Sequence, residues 1–233
     1  MPIVDYMTGM NTSIGILAAL YHRKANGGEG QHVDVCLFDT VIAALSHYAQ
    51  IYLVDGKTPP RRGTWGNGGM PAGVFRCADG ELMLVVGNDA QFERSCAVLG
   101  EPDLATNPKF LKNNDRVVHG KEIMAIFAGL FLKNKVGYWL DELEKAGVPS
   151  GPVNDFAQVF ADEHVRSRGM EVKVDHPFEH SLSLIRNALK FSGTPVQEYR
   201  YPPRLGEHTR DVLSSQLGYD TSKIEALKKT GII

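Results

Sequence analysis

Gln31-His32-Val33-Asp34-Val35-Cys36-Leu37-Phe38 decides how the front of this chain is read. Val33, Val35 and Leu37 alternate with Asp34 and Cys36, and a period of two marks a strand with one covered face. Working outward, the segment follows Asn26-Gly27-Gly28, a helix stop, with Gly28-Glu29-Gly30-Gln31 as the tight turn into the strand. Before the stop, Ile14, Leu17, Ala18 and Tyr21 fall at i, i+3, i+4 and i+7, the apolar stripe of a packed helix over residues 12–25. Gly15, Ala18 and Ala19 are small enough on that helix for another backbone to approach. Helix, glycine turn and strand look like a piece of a larger α/β sheet. A lone strand leaves its backbone groups unpaired, so either later strands join it or part of the domain lies outside this chain. Cys36, among strand residues, is expected in the core.

Ahead of the helix stands Met1-Pro2-Ile3-Val4-Asp5-Tyr6-Met7-Thr8-Gly9. Asp5 has two readings. It caps the helix that follows, the default for an Asp in that place, or it is a reactive carboxylate held at the mouth of a strand-to-helix turn.

The chain's 233 residues allow one large domain or two small ones. A net charge of −2 gives no basic surface for nucleic acid. No apolar run reaches the roughly 18 residues of a membrane span, and the start has neither the basic flank nor the apolar core of a secretory signal. Cys36, Cys77 and Cys96 are odd in number and lack a Cys-x-x-Cys pair. That argues against a disulfide framework or a zinc site and for a reducing cytoplasm.

Further along, residues 39–54 read as a second helix and residues 55–60, with Asp-Gly and Pro-Pro, as a linker. Gly63, Gly66, Gly68 and Gly69 fall within seven residues and make a loop of unusual backbone angles. Ala78-Asp79-Gly80 between apolar runs is a hairpin turn. Asn88-Asp89 starts a helix that Gly100 stops. Helices follow over residues 116–132 and 135–145, then a rigid turn at Pro149-Ser150-Gly151-Pro152-Val153 and a helix from Asp155. Residues 170–174 and 182–185 read as short strands, and two helices close the chain.

Several stretches together resemble family III CoA-transferases, the CaiB/BaiF family. They are Val4-Asp5-Tyr6-Met7-Thr8-Gly9, residues 15–23 and 28–35, Gly66-Asn67-Gly68-Gly69, residues 86–92, residues 147–153 and Leu205-Gly206-Glu207-His208-Thr209, all in family order. The resemblance covers essentially the whole chain and lies nearest the subgroup handling short dicarboxylic acids such as succinate and glutarate. It implies the C-terminal part of a family member, in the α/β class: a remnant of a Rossmann-like large domain plus a small α+β domain, of the interlocked-dimer type. The implied boundaries are residues 1–40 for the large-domain remnant with the candidate nucleophile, 41–64 for a linker helix and loop, 65–155 for the small domain, and 156–233 for the return linker and C-terminal segment.

By position, the resemblance makes Asp5 the family's covalent nucleophile. It makes Gly66, Gly68 and Gly69 the loop that approaches the acyl intermediate. Coenzyme A is then a substrate rather than a permanently bound cofactor, no metal is required, and the implied partners are acyl-CoA, a carboxylic acid and a second copy of the chain in a cytoplasmic homodimer, with no nucleic acid and no membrane. The residues that contact CoA stay unknown. Two other functions stand beside transfer. One is α-methylacyl-CoA racemisation on the same scaffold, by proton exchange. The other is a non-catalytic chain that only associates with a partner. The plainer readings remain for each feature: a surface loop for the glycines, a solvated linker for Arg61-Arg62, and a helix-start cap for Glu207. Pro177 between His176 and His180 argues against a metal pair.

Overall fold

Asp79-Gly80 does what the sequence asks of it. In the computed structural model, which describes residues 1–66, 68–177 and 180–233, it turns strand β1 (Ala72–Arg76) into β2 (Glu81–Val85). The strands are antiparallel, with Ala72 opposite Val85 and Arg76 opposite Glu81. Leu82 and Leu84 are buried while Glu81 and Val85 are exposed, the alternation of a sheet covered on one face. The Cys77 N–H donates to the Gly80 carbonyl at 2.8 Å, closing the turn. Asp79 also accepts the Val136 N–H at 2.8 Å, so the turn residue caps a helix 57 positions away.

Pro149–Val153 is more than a turn. Ser150–Pro152 form β3 and pair antiparallel with β2, Leu82 opposite Pro152, to give the sheet order β1-β2-β3. Pro152, which has no N–H, is tolerated there because it stands on an edge strand.

Helices cover this sheet. They are α4 (Asp89–Val98), α5 (Asn113–Val118), α6 (Gly120–Phe131) and α7 (Val136–Lys145), with a 3-10 turn at Pro102–Ala105. Asn88 caps α4 by accepting the Gln91 N–H at 2.9 Å. Along α6, Ile123, Met124, Phe127, Leu130 and Phe131 are buried and make its inward stripe. The core joins Phe75, Leu82, Leu84, Phe92, Phe127 and Phe131. Phe131 stands edge-on to Trp139 at 5.4 Å, and the Trp139 indole donates to the Phe131 carbonyl at 2.8 Å. Full burial of each such side chain stabilises by about 1.5–3 kcal/mol. The helix expected over residues 116–132 is in fact α5 and α6, broken at His119, whose backbone leaves the helical region.

The front of the chain differs from expectation more strongly. α1 runs Ile3–Ala25, so it begins nine residues before the expected start at residue 12. Residues 31–36 form no strand and no helix, and α2 starts at Leu37. Val33 instead lies against α1. Val33 lies 3.0 Å from where a Cβ on Gly15 would be, so the small residue on α1 admits a side chain rather than a neighbouring strand. Cys36 is exposed, not core, and its Sγ caps α2 by accepting the Asp39 N–H at 3.4 Å. The helix expected over residues 39–54 is split into α2 (Leu37–Ala44) and α3 (Ser46–Asp55), with Ser46 at a positive φ of 52°. The two are bent by 76°, and no single described helix is long and apolar enough to cross a membrane.

After β3 come α8 (Phe156–Ala161), started by an Asp155–Gln158 capping box, and α9 (Glu163–Ser167). β4 (Glu171–Val174) and β5 (Leu182–Ile185) pair antiparallel as a separate two-stranded sheet. α10 (Thr209–Ser215) and α11 (Thr221–Lys229) finish the chain.

Candidate active site

Asp5 lies inside the first turn of α1, not ahead of the helix. Its side chain caps nothing, and among the described residues no hydrogen bond or ion pair reaches it. The position is exposed. A carboxylate in the first turn sits at the positive end of the helix dipole, a favourable place for negative charge on a helix. The capping reading of Asp5 therefore has no bond to support it.

The glycine run is held tightly for a loop. Asn113, at the start of α5, braces both ends: its Nδ2 donates to the Gly68 carbonyl at 3.1 Å and its Oδ1 accepts the Met70 N–H at 3.0 Å. A Cβ on Gly69 would lie 1.8 Å from the Val86 carbonyl oxygen, so only glycine fits there. Gly66 donates its N–H to the Ala72 carbonyl at 3.1 Å, and a Cβ would press on Ala72 at 3.2 Å. Of the three, Gly68 alone faces open space. Gly66 and Gly69 are thus required by close packing, and Gly68 is the one a ligand can approach. Asn67 lies outside the described residues.

Arg116 is the anchor beneath the run. It is fully buried, donates from Nε to the Met70 carbonyl at 2.7 Å and from Nη1 to the Phe110 carbonyl at 2.8 Å, and pairs through Nη2 with Asp89 at 2.9 Å. Its guanidinium lies 4.3 Å from the centre of the Phe92 ring. The Arg116 hydrogen bond, with the charges of Arg116 and Lys112, holds the Asp89 carboxyl below its ordinary range despite some desolvation. Sequence reading missed Asn113 as a brace and Arg116 as a core residue. A buried arginine leaves no mark in a hydrophobic pattern.

Between the linker and the α5–α6 junction opens a cavity of about 730 Å³, bordered by Arg61, Arg62, Trp65, Met70, Val118 and Lys121. Met70 closes the glycine run, so loop and cavity are contiguous.

The other candidates resolve differently. Glu207 does not cap α10. Its carboxylate accepts the Tyr201 hydroxyl at 2.6 Å and the Arg204 N–H at 2.7 Å, tying a turn before the helix. The Tyr201 hydrogen bond and then the Arg204 backbone bond lower its pKa. His176 stands edge-on to Tyr201 at 4.9 Å. Among the described residues no group of three or more His, Cys, Asp or Glu is arranged to hold a metal. Cys77 and Cys96 are buried, and burial pushes the Cys96 thiol up to about 12. The two sequence-predicted site elements are on separate supports. α1 packs against α2, the glycine run against α5 and β2, and no extensive packing joins the two among the described residues.

A family model for CoA-transferase family III matches residues 1–209. The chain belongs to CoA-transferase family III. It is similar to the human succinyl-CoA:glutarate CoA-transferase, 33% identical over 99% of this chain and 52% of that protein. It is similar to the succinate–glutarate CoA-transferase of Agrobacterium fabrum, 36% identical over 91% of this chain and 53% of that protein. Among solved structures, a CaiB/BaiF family protein from Brucella suis superposes with a TM-score of 0.77 at 32% identity, over 92% of this chain and 55% of that one. The chain spans about half the length of the curated relatives it matches.

Proposed function

We propose that this chain contributes the nucleophile and the glycine loop of an enzyme that moves CoA between an acyl-CoA thioester and a carboxylic acid. The observation that carries the reading is Asp5: an exposed, unpartnered carboxylate in the first turn of α1, within the region that matches the family. A carboxylate is a weak base but an adequate nucleophile once held in place. It attacks the thioester carbonyl, forming a mixed anhydride and expelling CoA thiolate. The thiolate then attacks the aspartyl carbonyl, giving an aspartyl-CoA thioester and releasing the donor acid. The acceptor carboxylate attacks that thioester, forming a second anhydride and releasing thiolate again. Attack of thiolate on the acceptor acyl carbon yields the new acyl-CoA and restores Asp5. CoA is a substrate throughout.

Backbone N–H groups near Gly68 suit the stabilisation of the oxyanion at each tetrahedral step, because no side chain obstructs approach. In this reading residues 1–40 belong to a Rossmann-like large domain, 41–64 link it to the small domain of residues 65–155, and 156–233 return to the large domain. The apolar, uncovered faces of α1 to α3 support an interlocked homodimer, in which a second copy covers them and brings a glycine run to Asp5. Dicarboxylic acids of the succinate and glutarate type are the favoured acids, since relatives named for them match over nearly the whole chain.

Incubation with succinyl-CoA followed by hydroxylamine tests this directly. A hydroxamate on Asp5, found by peptide mass spectrometry and absent from Asp5→Asn, is the expected result. Exchange of the α-proton of a 2-methylacyl-CoA by a preparation that never labels Asp5 would move the assignment to racemisation.

A further inference from the structure

We propose that the cavity between the linker and the α5–α6 junction binds a carboxylic acid with a short apolar body, and that Arg62 grips its carboxylate. The proposal rests on the transferase reading and adds to it the place where the acid is held.

Arg62 is only half-buried, but its Nε is buried and has no hydrogen-bond partner. No hydrogen bond or ion pair reaches its side chain among the described residues. Buried donors are almost always satisfied, and an unpaired one on a cation is costly. Arg116, about fifty residues on, shows the contrast: both its Nη atoms and its Nε have acceptors.

The surroundings are charged in one sense. Arg61 and Lys121 border the same cavity, and its one carboxylate, Glu122, is occupied by Lys109 at 2.9 Å. Apart from His119, which faces Glu122 at 3.8 Å, the remaining side chains of the wall are apolar, among them Trp65, Val117 and Val118. A planar guanidinium fork matches a carboxylate in two parallel hydrogen bonds, and the apolar wall suits a methylene chain. The volume, about 730 Å³, is within the range of small-molecule sites.

The site is also pre-formed. Gly63 adopts a φ of +64°, and the Arg62 carbonyl accepts the Trp65 N–H at 3.2 Å, so one turn carries both the cation and the apolar wall. Thr64 Oγ1 accepts the Val74 N–H at 3.2 Å and stitches that turn to β1. Met70 borders the cavity and closes the glycine run, so an acid held here abuts the loop that would meet the acyl carbon.

Trp65 supplies the readout, because the other tryptophan, Trp139, is sealed in the core. Titration of the full chain with glutarate is expected to change tryptophan emission saturably, and Trp65→Phe to abolish the change. Arg62→Gln should weaken binding by about tenfold or more. Arg62→Lys, which keeps the charge without the fork, should weaken it severalfold and serves if the glutamine variant does not fold. The proposal is overturned by no saturable signal, by equal affinity in both Arg62 variants and the parent, or by inorganic phosphate binding as tightly as glutarate. Glutarate binding that survives while no Asp5 hydroxamate forms breaks the transferase reading and leaves this site standing.

Discussion

Leu84 and Leu17 are the same residue in opposite circumstances. Leu84, on β2, is 0% exposed inside a core closed by four helices, whereas Leu17, on the apolar stripe of α1, is 66% exposed. The contrast extends to whole elements. α6 buries six residues, while α1, with 23, buries none. Both helices carry the same kind of pattern, and only one finds a surface to cover it. A periodic apolar face therefore reports that a helix is built to be covered, without saying by what. A contiguous apolar surface of the sort left on α1 to α3 marks an interaction site. In the proposed enzyme it is the surface that must close before Asp5 and a glycine run share one site.

The largest expected effect lies where the core and the candidate loop share a residue. Arg116→Met keeps the volume but leaves the Met70 and Phe110 carbonyls and the Asp89 carboxylate without their donor. Each buried carbonyl left without its donor costs about 1–3 kcal/mol. Denaturant unfolding followed through buried Trp139 should show a large drop in midpoint. A near-parental midpoint would mean that the loop is not braced from the core.

The two leucines then test the comparison itself. Leu84→Ala should destabilise by about 2–5 kcal/mol, and Leu17→Ala by within about 0.5 kcal/mol, as for other exposed positions. Thermal unfolding of both variants at one protein concentration measures them. A loss at Leu17 approaching that at Leu84, growing as the protein is concentrated, would show that a second copy covers α1 in solution.

How much of this was readable follows the same division. The hairpin at Asp79-Gly80, the α4 start at Asn88 and the α8 start at Asp155 are local, since turn and cap residues act on their own neighbours, and the structure keeps all three. The reading of residues 31–38 as a strand failed because a strand is completed by a partner that no local pattern names. Val33 of that segment instead lies against Gly15 of α1. β3 was missed for the reverse reason: Pro149-Ser150-Gly151-Pro152-Val153 has the composition of a turn, and pairing with β2 overrides it. At the candidate site, the glycine cluster was legible as a loop, but its bracing by Asn113 and Arg116 depends on contacts more than forty positions apart. From sequence Arg62 reads as solvated linker, because a charged residue beside Pro59-Pro60 gives no sign that its Nε is buried.

The smallest effect separates the two parts of the Arg116 network. In the folded chain the Asp89 pKa is lowered, first by the hydrogen bond from Arg116 at 2.9 Å. A carboxylate held low contributes stability that is fully present above its unfolded pKa, about 3.9, and is lost as pH falls through its folded pKa. The contribution of Asp89 should therefore be constant near neutral pH and vanish only in acid. Because its side chain is 43% exposed, solvent screens the pair and the effect stays well below that of losing Arg116. Asp89→Asn should thus lower the unfolding midpoint slightly at neutral pH and flatten its decline below about pH 4. If parent and variant fall in parallel through that range, the acid sensitivity of the module arises from other carboxylates, and Arg116 is held by the Met70 and Phe110 carbonyls and the Phe92 ring rather than by its ion pair.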